Sequence, residues 1–484
     1  MSSTSIPTGT PSGIPASPAG ESFGWPKIVG AIVAPLALLG LWSAPFGLEP
    51  RAQHALAICC FMVVLWITEA VPHAITGLIG CWMFWAFKVA PIRTAFSGFA
   101  TSEAPWFLLG ALFIGVMVTE TGLAKRLAFL VLSWIGKSYS SILLALLLVN
   151  FVMTAMIPAG PPRVILLGSL ALGVAASFGL GAKSNLAKGL ILAVTFSATL
   201  NDKTILGSTP AILAHSLIVE HGKVQLLWSQ WFIAYLPLGI ANMLAIWWYI
   251  QRAYKPEKSE MPGGKAAWRE QLDALGPWSG REMRAAFWTG LAILLWSTDK
   301  LHGLGPGVIG MGVGLAATLP VIGAATMEDL KKVNFFIILF MGTALSMAEV
   351  LRDTGAVGVL STAMFGAVEP MMNSLSNATW VLYWSGFVAH LLLASETSMV
   401  SVSMPVIMQF AHDTSLNPMA LGLIWSVATG GKLFIYQSLV LIAGYTFNSY
   451  GAKEIAKIGA FFLFFQFVML LLTVNFYWPL LGIR

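Results

Sequence analysis

A chain of 484 residues with 57% hydrophobic and only 10% charged side chains departs from soluble proteins, in which about a quarter of residues carry a charge. Its formal charge of +6 is spread without a basic block, so lysines and arginines flanking membrane helices account for it, and nothing points to nucleic acid. Apolar runs of spanning length exclude a β-barrel of short alternating segments and predict an all-α polytopic protein of the lipid bilayer.

Residues 1–24 are rich in Ser, Thr, Pro and Gly, with Glu21 as their one charged side chain, and are predicted to be a disordered tail. They lack the basic start and early apolar core of a secretory signal, so the first long helix is expected to remain as an anchor. The windows 26–47, 229–250 and 459–482 are each long enough to cross about 30 Å of hydrocarbon. Cys59, Cys60 and Cys81 lie in apolar segments without CxxC spacing and read as buried small hydrophobes, not as a disulfide or a metal site. Glu69, Pro72 and His73 read as a loop between helices.

The longest polar interruption, 251–284, holds seven Lys/Arg and five Asp/Glu. The positive-inside tendency predicts a cytoplasmic linker there. It parts the chain into a first transmembrane repeat with leading helices, 25–250, and a second repeat, 285–484. The halves are alike. PWFLLGALFIGVMVTETGL carries Gly110 and then Glu120-Thr121-Gly122, and NFFIILFMGTALSMAEVLRDTG carries Gly342 and then Asp353-Thr354-Gly355. Each is followed by an apolar arm, a short polar break and another apolar arm. The breaks are IPAGPPR (157–163) and ASETS (394–398), and a second break follows in each half, at 200–213 and 427–438. Interrupted apolar segments at matching places in two halves mark a secondary transporter with its site near the bilayer midplane. Unwound backbone is tolerated at that depth only where it lines a wet cavity or packs in protein.

From about residue 66 onward the pattern resembles the divalent-anion/sodium symporter family of the ion-transporter superfamily. The likeness is carried by FSGFATSEAPWFLLGALFIGVMVTETGL, LGSTPAIL and the closing WPLLG. The resemblance implies two inverted repeats, each with a re-entrant hairpin and an unwound helix, about eleven spans, a homodimer and elevator-like motion. It also implies Ser-Asn-Thr hairpin tips and TPPN-like turns that hold substrate and sodium. Against that pattern the second tip reads Ser395-Glu396-Thr397, with Glu for Asn, and the first reads Ala159-Gly160-Pro161, without polar side chains. The turns read Gly207-Ser208-Thr209-Pro210-Ala211 and Thr429-Gly430-Gly431-Lys432, with Lys for Asn.

A carboxylate facing lipid costs about 2.5–3.5 kcal/mol on insertion scales, so Glu396 needs a partner. If the fold is shared, Lys432 faces it across one site. Such a pair either locks the hairpin or touches substrate or ion. Asp202 and Lys203, adjacent in LNDKT, seldom pair with each other on a regular helix; each needs a partner elsewhere, or they mark a polar helix end. His390, one turn before the second tip, is expected to be a packed histidine.

The resulting expectation is a secondary transporter of a dicarboxylate-like or sulfonate-like anion in the cell (inner) membrane, without an enzymatic cofactor. Substrate binding is assigned to Ser395, Glu396, Thr397, Thr429, Lys432, Gly160, Arg163, Ser208, Thr209 and Lys203. The coupling ion, sodium or a proton, falls to Glu396, Asp202, Gly207 and Gly430, with sodium near Gly160, Gly207, Ser395 and Gly430. A fixed ammonium standing in for sodium would favour exchange. The competing readings are a cation/proton antiporter using Asp202 and Glu396, and a binding protein without flux. An intramembrane enzyme is disfavoured by the lack of HExxH-like spacing.

Overall fold

The structure is a computed structural model that describes residues 24–393 and 395–483. The tail expected over 1–24 lies outside the described residues apart from Gly24. Among the described residues the chain is helical throughout, with one isolated bridge between Ser138 and Glu260. Lipid offers backbone groups no other partner, which is why so apolar a chain folds this way.

Among the described residues, seven helices are long and apolar enough to cross a membrane, or eight if Ala104–Glu120 and Leu123–Ile135, bent by 64°, form one span. The expected windows appear among them as Trp25–Ser43, Trp228–Ala253 and Ala452–Leu481. Trp25–Ser43 packs on Pro50–Thr68 and leaves Ile32, Leu36 and Leu39 facing outward. Shorter apolar helices, among them Asn185–Leu200 and Pro418–Ala428, carry much of the rest.

The elements recur in order across the halves. Ala104–Glu120 and Phe335–Asp353 each end where a threonine hydroxyl bonds back to a carbonyl one turn earlier: Thr121 to Met117 and Thr354 to Val350, both at 2.8 Å. Gly122 (φ 84°) and Gly355 (φ 72°) then take the left-handed conformation that glycine adopts without penalty, and they start Leu123–Ile135 and Ala356–Phe365. Next come the two-armed hairpins, Tyr139–Met156 with Gly160–Ser177 and Leu375–Leu392 with Glu396–Thr414. The broken helices follow, Asn185–Leu200 with Thr209–Gly222 and Pro418–Ala428 with Leu439–Tyr445.

Packing then crosses the halves. Thr209–Gly222 lies against Glu396–Thr414 of the second hairpin, and Leu439–Tyr445 lies against Gly160–Ser177 of the first. Each hairpin is thus held by the other half's broken helix, which brings four irregular segments together.

The linker region is ordered. Its helix Gly264–Asp273 packs on Leu123–Ile135, and the buried Trp268 donates from Nε1 to the Gly136 carbonyl at 2.7 Å. Arg126 and Glu282 form a buried ion pair at 2.8 Å, and Arg126 also donates to the Gly276 carbonyl at 3.0 Å. Cys59 and Cys81 are buried, Cys60 is half-buried, and all three are free thiols. Glu69 ends its helix in the left-handed conformation (φ 48°) before His73–Ala86 begins.

Candidate functional site

The first break, 201–208, is buried along its whole length. Gly207 N donates to the Asp202 carbonyl at 2.9 Å, closing a turn, and Ser208 caps the next helix by accepting from Ala211 N at 3.4 Å. Pro210 in that first turn suits a helix start. A Cβ on Gly207 would fall 2.2 Å from the Thr154 methyl, so the turn meets the first hairpin where only glycine fits. In the second half, Ser395 caps Glu396–Thr414 by accepting from Ser398 N at 3.2 Å. The second break runs from Thr429 to Ser438, with a short helical turn over Ile435–Gln437.

The charged side chains of these segments are buried together. Glu396, 8% exposed, stands between two ammonium groups. Lys432 donates to its Oε2 at 2.8 Å. Lys203 Nζ lies 2.6 Å from its Oε1 as an ion pair, although that oxygen has no aligned hydrogen bond. The aligned bond of Lys203 goes instead to the Ser426 carbonyl at 2.5 Å, and Lys432 also donates to the Gly430 carbonyl at 3.2 Å. Trp231 fixes the Lys203 backbone by donating to its carbonyl at 2.5 Å. A Cβ on Gly430 would sit 2.2 Å from Lys203 Nζ, so a side chain there would displace the ammonium.

Arg163, 0% exposed, donates from Nη1 to the Thr154 hydroxyl and from Nε to the Ala159 carbonyl at 3.3 Å. Its Nη2 has no hydrogen-bond partner among the described residues, nor have Asp202 Oδ1, Asn150 Oδ1 and Asn201 Oδ1. Asp202 lies within the field of Glu396, Lys432, Lys203 and Arg163. Three cationic and two anionic side chains therefore share one buried region, and fully ionised they sum to +1. Leaving polar groups buried and unpaired is costly, and these four unpartnered atoms all belong to the first repeat.

The other residues assigned from the sequence are placed as follows. Thr429 is buried and its hydroxyl bonds back to the Ser426 carbonyl at 3.0 Å. Thr209 and Thr397 are half-buried in the first turns of their helices. Gly160 opens the first hairpin's outgoing arm against Val440, where a Cβ would come within 2.4 Å. His390 is 0% exposed; its Nδ1 pairs with the Leu393 carbonyl at 2.9 Å, its Nε2 has no hydrogen-bond partner among the described residues, and the ring lies within the field of Lys432, Glu396 and Lys203.

Three participants had not been singled out. Gln437 accepts from Leu433 N at 2.7 Å and Phe434 N at 2.8 Å and donates to the His390 carbonyl at 3.3 Å, tying the second break to the second hairpin. Asn150 and Thr154 stand on the first hairpin's incoming arm. Polar residues in the otherwise apolar LLLVNFVMTAM were the signal that would have found them.

Residues 24–484 match the family described as the sodium:sulfate symporter transmembrane region. A protein of Cupriavidus necator described as a membrane protein is 27% identical, covering 93% of this chain and 92% of its own. The citrate/succinate antiporter of Escherichia coli K12 is 23% identical, covering 93% of this chain and 97% of its own. The sodium-dependent dicarboxylate transporter SdcS of Staphylococcus aureus is 24% identical over 58% of this chain and 56% of its own. Among solved structures the fold is similar to the YdaH transporter of Alcanivorax borkumensis, with a TM-score of 0.53 at 13% identity, covering 89% of this chain and 100% of that one.

Proposed function

This chain belongs to the sodium:sulfate symporter family and is a multi-pass membrane transporter, not an enzyme; we propose that it exchanges small carboxylate-bearing or sulfonate-like anions. The observation that carries this reading is the position of the two lysines. Lys203 and Lys432 place their ammonium groups on the Ser426 and Gly430 carbonyls. Backbone carbonyls at a helix break are what a sodium ion coordinates in transporters of this build, and here a fixed cation takes them. A fixed cation cannot dissociate with the substrate, so the gradient that drives transport is that of a second anion. The net charge of +1 in the empty site opposes its passage through the bilayer, and one negative charge on the substrate cancels it.

The names of relatives support the anion and leave its coupling open, since one is an antiporter and another is sodium-dependent. The reading includes halves of inverted orientation, elevator-like movement of the hairpins and broken helices, a homodimer, an inner-membrane location and a cytoplasmic 251–284 linker. A second reading, cation/proton antiport through Asp202 and Glu396, draws on the unpartnered Asp202 Oδ1. It is weakened because Glu396 already faces two ammonium groups.

The test is the melting temperature of the purified protein against dicarboxylates, sulfonates and sulfate, each as sodium and as choline salt. A ligand at 100 times its Kd stabilises by about 2.7 kcal/mol. The exchange reading expects one anion class to raise the melting temperature equally in both salts. A rise that needs sodium would return the protein to symport, and movement with sodium or pH alone would favour the antiporter.

A further inference from the structure

We propose that Lys203 and Lys432 form a carboxylate subsite whose occupant in this state is the protein's own Glu396, and that a substrate carboxylate enters by displacing it. The proposal rests on the transport site argued above and names its ligand class. A planar carboxylate with one oxygen toward each of two ammonium groups is the arrangement seen: Oε1 to Lys203 at 2.6 Å and Oε2 to Lys432 at 2.8 Å. The three groups come from three different segments, the first break, the second break and the second hairpin tip.

Three features make Glu396 an occupant rather than a fixture. Each ammonium keeps a carbonyl partner of its own, Ser426 for Lys203 and Gly430 for Lys432, so the subsite stays assembled when the carboxylate leaves. The helix N-terminus does not need the carboxylate as a cap, because the Ser395 hydroxyl supplies that bond. Glu396 is the first residue of its helix, directly after the irregular tip, where a change in the Ser395 backbone swings it out of the pair. The slot serves two oxygens, and a sulfonate or sulfate brings a further oxygen that neither ammonium reaches, which favours carboxylates.

The test is rescue of the full-length Glu396→Gly variant by small monocarboxylates. The variant is expected to melt below the wild type. Choline formate or acetate is expected to raise its melting temperature saturably by several degrees, with choline chloride and methanesulfonate inactive and the wild type unmoved. Adding Lys203→Met to the variant should abolish the response. A helical, monodisperse Glu396→Gly protein that ignores formate and acetate, or a wild type that responds as strongly, overturns the proposal.

Should that variant not fold, Glu396→Gln preserves the shape and removes the competing charge. The proposal then expects succinate to half-saturate its melting shift at a concentration at least about tenfold lower than for the wild type, about 1.4 kcal/mol. Unchanged or weaker binding overturns it. Anion exchange by the wild type alongside failed rescue removes this proposal alone. A wild type that no anion stabilises or crosses with removes the transport reading itself.

Discussion

The ammonium of Lys203, in the first half of the chain, stands 2.6 Å from the carboxylate of Glu396, in the second, and both side chains are buried. This contact couples the two halves at their irregular segments. Removing one member of a buried pair costs about 3–5 kcal/mol because the other is left buried and less well compensated. Lys203→Met is therefore expected to lower unfolding stability by at least about 3 kcal/mol, and Lys203→Met/Glu396→Gln to recover part of that loss. Denaturant or thermal unfolding of the purified variants checks this. A single-variant loss below about 1 kcal/mol, typical of exposed pairs, would show that the contact does not couple the halves.

Gly430 gives a way to disturb the ammonium without touching either charge. Its added Cβ would lie 2.2 Å from Lys203 Nζ, so Gly430→Ala should push the lysine off the Ser426 carbonyl and reduce anion exchange at least about tenfold, roughly 1.4 kcal/mol. Gly173→Ala, on a helix position open around the Cβ, should leave exchange unchanged and slightly favour the helix. Equal exchange rates for Gly430→Ala and Gly173→Ala would contradict the placement of Lys203.

Gln437 holds the second break by accepting from two backbone N–H groups, at 2.7 and 2.8 Å. Gln437→Met keeps the bulk and removes the acceptor. A buried donor left without a partner costs about 1–3 kcal/mol, and the effect should appear as faster hydrogen exchange at 433–438 before any change at the distant linker. Unchanged exchange there would mean that water replaces the side chain.

Acid sensitivity should have a component outside the membrane segments, at Glu282. The hydrogen bond from Arg126 holds its carboxyl below the usual value of 4.5. A group depressed in the folded state contributes stability that is present above its unfolded pKa and lost as pH falls through the folded one. Below about pH 4.5 the wild type should therefore lose stability that Glu282→Gln lacks at every pH. The melting temperatures of the two proteins should converge as pH falls from 5 toward 3; curves that stay parallel would place the acid sensitivity elsewhere.

The membrane architecture was legible because apolar runs and their polar interruptions are strong local signals. Glu120-Thr121-Gly122 and Asp353-Thr354-Gly355 reappear as matching helix ends, with both glycines left-handed. Glu396 and Lys432 stood out since a charge in apolar surroundings demands a partner, and the resemblance placed them opposite one another. The approach of Lys203 to Glu396 was not legible, because it depends on how Thr209–Gly222 packs across the halves onto Glu396–Thr414. The carbonyls of Ser426 and Gly430 were hidden for another reason: every residue has one, and only the break in the helix frees it. Gln437 lay inside a segment read as unwound, but its role is to bond that segment's backbone, which no spacing rule reports.

The most direct measurement is uptake of a labelled dicarboxylate into proteoliposomes preloaded with unlabelled dicarboxylate or left empty, each in sodium and in choline medium. With lysine ammonium groups standing on the carbonyls of the second break, uptake should require internal dicarboxylate, proceed equally in sodium and choline, and fall to background in Lys203→Met. Uptake into empty vesicles driven by an inward sodium gradient would contradict the account.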